Sequence, residues 1–232
     1  MDPLSDHKLQ LSQQFHRDGF ATVSAVLAPH ECEALATQVR LSRRHSAGAR
    51  NLLSHPWCRA LADTLAHHTL LAEVIPPTHA AVQCTYFEKS VDRNWLVPWH
   101  RDESIAVAAR VDHAALRGWS VKEGQLHVIV PPDLLGQLVA VRLHLDDCLA
   151  DDGPLRVAPG SHRHEHDAPG SGPVACVARR GDVLVLTPML LHASSKATGR
   201  SARRVLHFVY GPPSLPMGLQ WPHRSEAAIV TE

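Results

Sequence analysis

Eight short runs of strand-forming residues fill the chain after Pro77, and they restrict its fold more than any other feature. Pro, Gly and Asp separate the runs, and no helical pattern alternates with them. This spacing is typical of a β-sandwich or barrel rather than of βαβ units. The runs are AVQCTYFEK (81–89), NWLVPWHRD (94–102), QLHVIV (125–130), QLVAVRLHLD (137–146), PLRVAP (154–159), GPVACVA (172–178), GDVLVLTP (181–188) and RRVLHFVYG (203–211).

The segment before these runs reads as helical. Apolar spacing predicts helices over about 5–18, 29–40 and 61–74, with an extended piece over 20–27. Gly19 is a plausible end for the first helix. We therefore expect a mainly β protein in which a helical part packs on a jelly-roll-like double sheet. Residues 1–232 are expected to form one domain, with a helical part (1–77), a β core (78–212) and a tail (213–232). The long connections are expected at 101–123 and 163–171.

Composition narrows the classes of function. The chain has 232 residues, 23 Lys plus Arg and 23 Asp plus Glu, so its formal net charge is zero. This balance argues against nucleic acid or an anionic membrane as a partner. The N-terminus lacks an apolar leader, and the five cysteines form no C-x-x-C pair. We expect a soluble, cytoplasmic protein that acts on a small molecule. The sequence leaves its oligomeric state open.

The pair His100 and Asp102 is the first candidate for a metal-binding site. Residues i and i+2 of a strand point to the same side, so an imidazole and a carboxylate would lie next to each other. Two His and one carboxylate form a facial triad, which leaves open positions on Fe(II). The pattern H-x-D is weak here, because the chain contains 18 His and repeats the pattern at His144 and Asp146.

The other histidines have different sequence surroundings. His144 shares one face of an alternating strand with Arg142 and Asp146, and we expect that face to be solvated or salt-bridged. The alternative, in which the face points inward and Arg142 and His144 line the cavity, stays open. His162, His164 and His166 are expected in a hydrated loop. His192 follows the most apolar run, where a buried imidazole needs a partner. From the residues alone, a buried structural His192 bonded to backbone is the commoner case, and a metal ligand is the alternative.

Five ordered segments resemble the phytanoyl-CoA dioxygenase family of Fe(II)/2-oxoglutarate oxygenases. The resemblance implies a double-stranded β-helix core (jelly-roll, cupin-like) with flanking N-terminal α-helices. It also implies Fe(II) as the metal, 2-oxoglutarate and O2 as co-substrates, and His100, Asp102 and His192 as ligands. The segments are FHRDGFATVSAVL (15–27), WHRD (99–102), HLDDCLADDGPLRVAPGSHR (144–163), GDVLVLTPMLLHASS (181–195) and RRVLHFVYGP (203–212).

The resemblance also suggests residues for the co-substrate. Related families bind the far carboxylate of 2-oxoglutarate with an Arg eleven positions after the distal His, which is Arg203 here. Strand periodicity does not choose between Arg203 and Arg204. Gln83 and Thr85, on the first core strand, are candidates to contact 2-oxoglutarate or the substrate, and a structural role for Gln83 is equally open.

The expected reaction is hydroxylation of a small-molecule C–H bond with release of succinate and CO2. Related halogenases have a small residue where this chain has Asp102, so a plain oxidation is favoured. Trp95, Trp99 and Trp119 are expected either as pocket walls or as core. Two rival functions stay open. They are a cupin-like metal-dependent hydrolase or isomerase, and a 2-oxoglutarate-binding protein without catalysis.

Overall fold

The computed structural model describes residues 2–42, 48–163, 172–199 and 202–222. The helices among these residues are α1 (Pro3–Asp18), α2 (Pro29–Ser42), α3 (Pro56–Ala66) and α4 (Pro132–Leu135). The strands are β1 (Phe20–Val23), β2 (Gly48–Ala49), β3 (Ala80–Lys89), β4 (Val97–His100), β5 (Ser104–Ala106), β6 (Arg117–Lys122), β7 (Gln125–Ile129), β8 (Val139–His144), β9 (Leu155–Val157), β10 (Val174–Cys176), β11 (Val183–Leu186), β12 (His192–Ser194) and β13 (Arg203–Gly211).

The strands form three sheets in which the named pairs are antiparallel. The largest has six strands in the order β1-β11-β8-β13-β3-β2, and the second has four in the order β10-β9-β12-β4. A small third sheet has the order β5-β7-β6. Each of the eight predicted runs contains one strand. The mainly β jelly-roll with N-terminal helices is therefore confirmed.

The large sheet is buried on both faces. On one face, side chains such as Tyr86, Leu143 and Phe208 pack with α2 and α3 in the main apolar core. Tyr210 on the same face donates its hydroxyl to the carbonyl of Ala62 at 2.8 Å. The opposite face turns toward the second sheet and carries polar side chains. The cavity described below lies on that second face.

The helix boundaries differ in part from those expected. Helix α1 begins at Pro3, behind the side-chain cap of Asp2, and ends at Gly19, whose φ of 82° and N–H bond to the Phe15 carbonyl form the predicted stop. The third helix was predicted over 61–74 and this is wrong. Pro56 fixes an earlier start, α3 ends at Ala66, and a separate 3-10 turn covers Leu71–Glu73.

The segment 101–123 is not a long loop. It contains β5 and β6, which pair with β7 on either side. The prediction failed because most side chains of β6 are exposed, so the strand has no buried apolar face to mark it. The extended piece at 20–27 also ends early, at Val23, before a turn at Ala25 with φ of 53°. His164, His166 and most of the loop predicted at 163–171 lie outside the described residues.

None of the helices in the described ranges combines the length and the apolar character needed to cross a bilayer.

Candidate active site

His100, Asp102 and His192 lie together at the inner cavity of the jelly-roll. His100 ends β4 and His192 begins β12, and the two residues are direct partners across these antiparallel strands. Their ring centroids are 4.3 Å apart. The carboxylate oxygens of Asp102 lie 3.7 Å from Nε2 of His100 and 3.8 Å from Nε2 of His192. Within the described chain, these three form the group of His, Cys, Asp or Glu side chains close enough to share one metal ion.

Backbone contacts fix which nitrogen each imidazole can offer. Nδ1 of His100 lies 2.9 Å from the carbonyl of Pro98, and Nδ1 of His192 lies 2.8 Å from the carbonyl of Leu190. A carbonyl only accepts, so each Nδ1 carries the proton and each Nε2 keeps a free lone pair. Metal-bound histidines usually have such a partner on their second nitrogen. The donor set therefore fits a divalent metal with nitrogen and oxygen ligands.

Asp102 lies just beyond the end of β4 rather than within the strand. Its N–H donates to the carbonyl of Pro188 at 3.0 Å, and this bond holds the carboxylate beside the two imidazoles. Burial by itself would raise its pKa. The surrounding His192, His207, His100 and Arg142 outweigh that effect, so the pKa of Asp102 is lowered. The carboxylate is thus ionised at neutral pH, as a metal ligand must be.

Three buried cations line the cavity next to this triad, and we call them the inner cations: Lys89, Arg142 and Arg203. They are 1%, 6% and 2% exposed. Lys89 donates to the Ser194 hydroxyl and the Ser195 carbonyl, and Arg203 donates to the Gly153 carbonyl at 2.9 Å. Among the described residues no carboxylate forms an ion pair with any of the three. An arrangement of this kind is suited to a bound anion.

The pKa shifts agree with that interpretation. Burial, and then the charges of Arg203 and Arg142, lowers the pKa of Lys89 to about 8. Burial, and then Arg203, lowers the pKa of Arg142 to about 9. Nε of Arg142 has no hydrogen-bond partner within the described chain, and its guanidinium lies 5.5 Å from the ring centroid of Phe87. A ligand carboxylate would relieve the repulsion among these cations.

The cavity itself has a volume of about 220 Å³. Gln83 and Thr85 line it from β3, as the alternation of that strand allows, and the Gln83 amide donates to the Thr85 hydroxyl at 3.2 Å. Their role toward a co-substrate stays a prediction.

His207 lines the same wall from β13, and burial lowers its pKa to about 4. The sequence could have identified His207, because it lies four residues after Arg203 on the same strand and therefore on the same face.

Arg203 and Arg204 have separate environments. Arg203 points into the cavity, whereas Arg204 forms a two-pronged pair with Asp146, at 2.7 Å for both contacts.

The expectation that Arg142 and His144 lie on a solvated strand face is wrong, because that face is the inner face of the barrel. His144 is 1% exposed and neither ring nitrogen has a partner among the described residues, and burial lowers its pKa to about 3.

The tryptophans divide between cavity, core and surface. Trp95 lines the cavity, as does Trp221, which sequence reasoning did not single out. Trp119 packs against a second apolar cluster, and Trp99 is 41% exposed. Trp221 follows no motif and reaches the cavity only because the C-terminal segment folds back, so no local signal could have identified it.

Comparison with known proteins places the chain in a family. The family model for phytanoyl-CoA dioxygenase (PhyH) matches residues 15–205. No curated protein sequence is significantly similar to the chain.

Solved structures share the fold. SnoN, a non-haem α-ketoglutarate-dependent epimerase from nogalamycin biosynthesis, superposes with a TM-score of 0.70 at 16% identity, over 92% of this chain and 85% of its own. HygX from Streptomyces hygroscopicus, with nickel, 2-oxoglutarate and hygromycin B bound, gives 0.61 at 19% identity, over 88% and 86%. AviO1 from Streptomyces viridochromogenes gives 0.62 at 23% identity, over 90% and 96%.

The match of the family model extends over most of the chain and includes the triad, and the donor set fits the metal that the family uses. The chain therefore belongs to the phytanoyl-CoA dioxygenase family and is an oxygenase-type enzyme that depends on Fe(II), 2-oxoglutarate and O2.

Proposed function

We propose that this enzyme hydroxylates a C–H bond of a small molecule, with His100, Asp102 and His192 as the iron ligands. The observation that carries the proposal is the convergence of two free Nε2 atoms and one ionised carboxylate at a cavity whose other wall is cationic. We also propose that residues 1–232 act as a single domain. A small-molecule substrate is supported by the size of the cavity and by the presence of hygromycin B in the HygX structure.

Fe(II) bound with 2-oxoglutarate supplies the oxidising power, by coupling O2 reduction to decarboxylation of the co-substrate. The chain supplies binding and orientation. Arg203 would hold the far carboxylate of 2-oxoglutarate, because a planar guanidinium matches a carboxylate with two parallel hydrogen bonds. Lys89 and Arg142 add positive charge beside it, and Gln83 and Thr85 offer an amide and a hydroxyl on the same wall.

The inner cations separate this proposal from the first of the two rivals. A metal-dependent hydrolase or isomerase activates water or its substrate at the metal and has no need of a buried site for a second carboxylate. Lys89, Arg142 and Arg203 line the cavity and would form such a site. A binding protein without catalysis would bind 2-oxoglutarate and leave it intact, so consumption of the co-substrate distinguishes it from an enzyme.

The type of oxidation is a separate part of the proposal. SnoN is described as an epimerase and SnoK, also from nogalamycin biosynthesis, as a carbocyclase, so this fold supports outcomes other than hydroxylation. Hydroxylation predicts a product heavier by one oxygen atom, derived from O2. An epimerised product would keep the mass of the substrate, and a cyclised product would lose two hydrogens.

The ligand assignment is tested with the purified enzyme, Fe(II), ascorbate, 2-oxoglutarate and candidate small-molecule substrates. The wild type is expected to form succinate, and His100→Ala and Asp102→Ala are each expected to lose that activity and to bind less than one iron per chain. His113→Ala is the matched control, because His113 is exposed and lies outside the cavity. Full activity and full iron content in both triad variants would show that the metal lies elsewhere.

A further inference from the structure

The charges that line the cavity are strongly unbalanced. Asp102 is the one carboxylate among its described lining residues, against five Lys and Arg side chains. Three of the five are the inner cations assigned above to 2-oxoglutarate. The remaining two, Arg50 and Lys122, form a second group that the proposed reaction does not use, and we call them the outer cations.

The outer cations come from separate parts of the chain. Arg50 follows the short edge strand β2, and Lys122 ends β6 in the small third sheet. They meet through Glu123, which accepts two hydrogen bonds from Arg50, one from its N–H and one from its guanidinium, both 2.8 Å long. Glu123 itself lies outside the cavity. The pair Arg50–Glu123 thus holds the arginine in place at the cavity wall.

Lys122 carries the unbalanced charge. Its Nζ donates to the Ser104 hydroxyl at 2.9 Å, and no carboxylate of the described residues lies within ion-pair distance. Burial, and then the positive charge of Arg50, lowers its pKa, and Asp102 acts in the opposite direction. Next to Lys122, the buried His127 has its pKa lowered to about 4, by burial and then by Lys122 and Arg50. His127 is therefore neutral at pH 7, so the positive charge at this part of the cavity comes from Lys122 and Arg50.

The two cationic groups lie on different parts of the cavity lining. The inner cations come from β8, β13 and the end of β3, whereas Arg50 follows β2 at the edge of the same sheet. Lys122 contacts Ser104 of the third sheet, two residues after Asp102. We call the part with the inner cations the inner wall and the part with the outer cations the outer wall. If 2-oxoglutarate occupies the inner wall, the outer wall faces the space that remains for the substrate.

We propose that the primary substrate carries an anionic group, a carboxylate or a phosphate, which binds to Lys122 and Arg50 on the outer wall. This inference rests on the proposed function, because it assigns the inner wall to 2-oxoglutarate. Apolar side chains such as Trp95, Leu138 and Trp221 line the rest of the cavity and would contact the body of the substrate. A positively charged group would be disfavoured at this wall, because Lys122 repels it.

The test uses protein loaded with Ni(II) and saturating 2-oxoglutarate, so that no turnover occurs and the inner wall is occupied. Binding is followed by the fluorescence of the cavity tryptophans and by thermal stability. The probes are matched pairs of small molecules of aromatic and aliphatic type: carboxylic acids with their amides, and phosphate esters with their alcohols. We expect the charged member of at least one pair to bind about ten-fold or more tightly than its neutral partner.

The variants locate the anion site. Lys122→Gln and Arg50→Gln are each expected to remove most of the preference for the charged probe, and Arg117→Gln, an exposed control on the same strand as Lys122, is expected to keep it. Equal binding of charged and neutral partners, an unchanged preference in both cavity variants, or no binding by any charged probe would overturn the inference.

Binding of 2-oxoglutarate itself is measured in the same samples by titration calorimetry. If the wild type does not bind 2-oxoglutarate, the proposed function fails. If it does bind and the charged probes show no preference, only the inference about the substrate fails. If the charged probes do show a preference, comparison of carboxylates with phosphates identifies which of the two anions the outer wall accepts.

Discussion

Adjacent residues of β13 show how strongly environment decides the role of a side chain. Arg203 is 2% exposed at the cavity, while Arg204, next to it, forms an ion pair with Asp146 on the other face of the same strand. The two residues are of the same type, so composition cannot separate them. The direction of the side chain separates them, and strand geometry sets that direction.

These two arginines form a matched pair for mutagenesis. Arg203→Gln is expected to weaken 2-oxoglutarate binding by about 10- to 100-fold, because it removes charge-assisted hydrogen bonds to the far carboxylate. Arg203→Lys should recover only part of the affinity, since a lysine lacks the planar fork. The measurement is calorimetric titration of the metal-loaded protein with 2-oxoglutarate.

Arg204→Gln is expected to leave that affinity within about two-fold and instead to lower the free energy of unfolding by about 1–3 kcal/mol. The loss follows because Asp146 is 8% exposed and would keep only weaker partners. The reverse result, in which Arg204→Gln impairs 2-oxoglutarate binding and Arg203→Gln does not, would show that Arg204 and not Arg203 binds the carboxylate.

At the scale of elements, the turn that leads into β11 is held by an unusually close backbone approach. The carbonyl of Gly181 accepts hydrogen bonds from the N–H groups of Val26 and Leu27, at 3.0 and 3.2 Å. Gly181 has φ of +87°, and a Cβ built on it would lie 2.1 Å from the carbonyl oxygen of Leu27. This turn joins the segment after β1 to β11, its partner in the large sheet.

Gly181→Ala is therefore expected to destabilise the protein by about 3 kcal/mol or more, through both the positive φ and the backbone collision. Gly124→Ala is the control, because Gly124 has a similar φ of +79° but nothing within 4 Å of an added Cβ. It should cost only about 1–2 kcal/mol. Urea unfolding of the two variants gives both values, and equal losses would mean that the close approach contributes nothing.

At the scale of the whole molecule, the barrel interior buries an unusual number of neutral imidazoles. Burial lowers the pKa of His127 and of His207 to about 4, and that of His144 to about 3. All three are at most 8% exposed. In the unfolded chain each would titrate near the ordinary value of about 6.5. The folded protein thus binds protons less readily than the unfolded chain does.

This difference predicts how stability depends on pH. Well above pH 6.5 the three histidines are neutral in both states, so their protonation does not change the free energy of unfolding. Below about pH 6.5 these histidines become protonated in the unfolded chain but stay neutral in the folded protein. The free energy of unfolding therefore falls as the pH decreases toward about 4. Each group contributes at most about 1.4 kcal/mol per pH unit in that window.

Urea unfolding of the metal-free protein at a series of pH values measures the effect. His144→Leu should reduce the slope between pH 6 and pH 4.5, because one of the three groups is gone. A free energy of unfolding that stays constant over that interval, or a slope unchanged in the variant, would contradict the prediction.

Much of the fold could be predicted because the signals are local. Each of the eight strand runs is a short segment of β-forming residues bounded by turn residues, and Gly19 ends a helix by its own backbone freedom. Strand β6 and the end of α3 were not predicted, because an exposed strand and a 3-10 turn have no strong apolar periodicity. The triad was predicted from family motifs, since H-x-D alone recurs at His144.

What the sequence determines by itself is therefore the set of strands, the helical first part and the candidate ligands at 100, 102 and 192. Only the tertiary structure decides which sheet face is the inside. The large sheet is buried on both faces, so alternation along β8 could not show whether Arg142 points toward solvent or cavity. Likewise, Arg50 and Lys122 belong to segments with no common motif, and they line one wall because two edge strands meet there. Convergence of distant segments is a property of packing, and no local pattern encodes it.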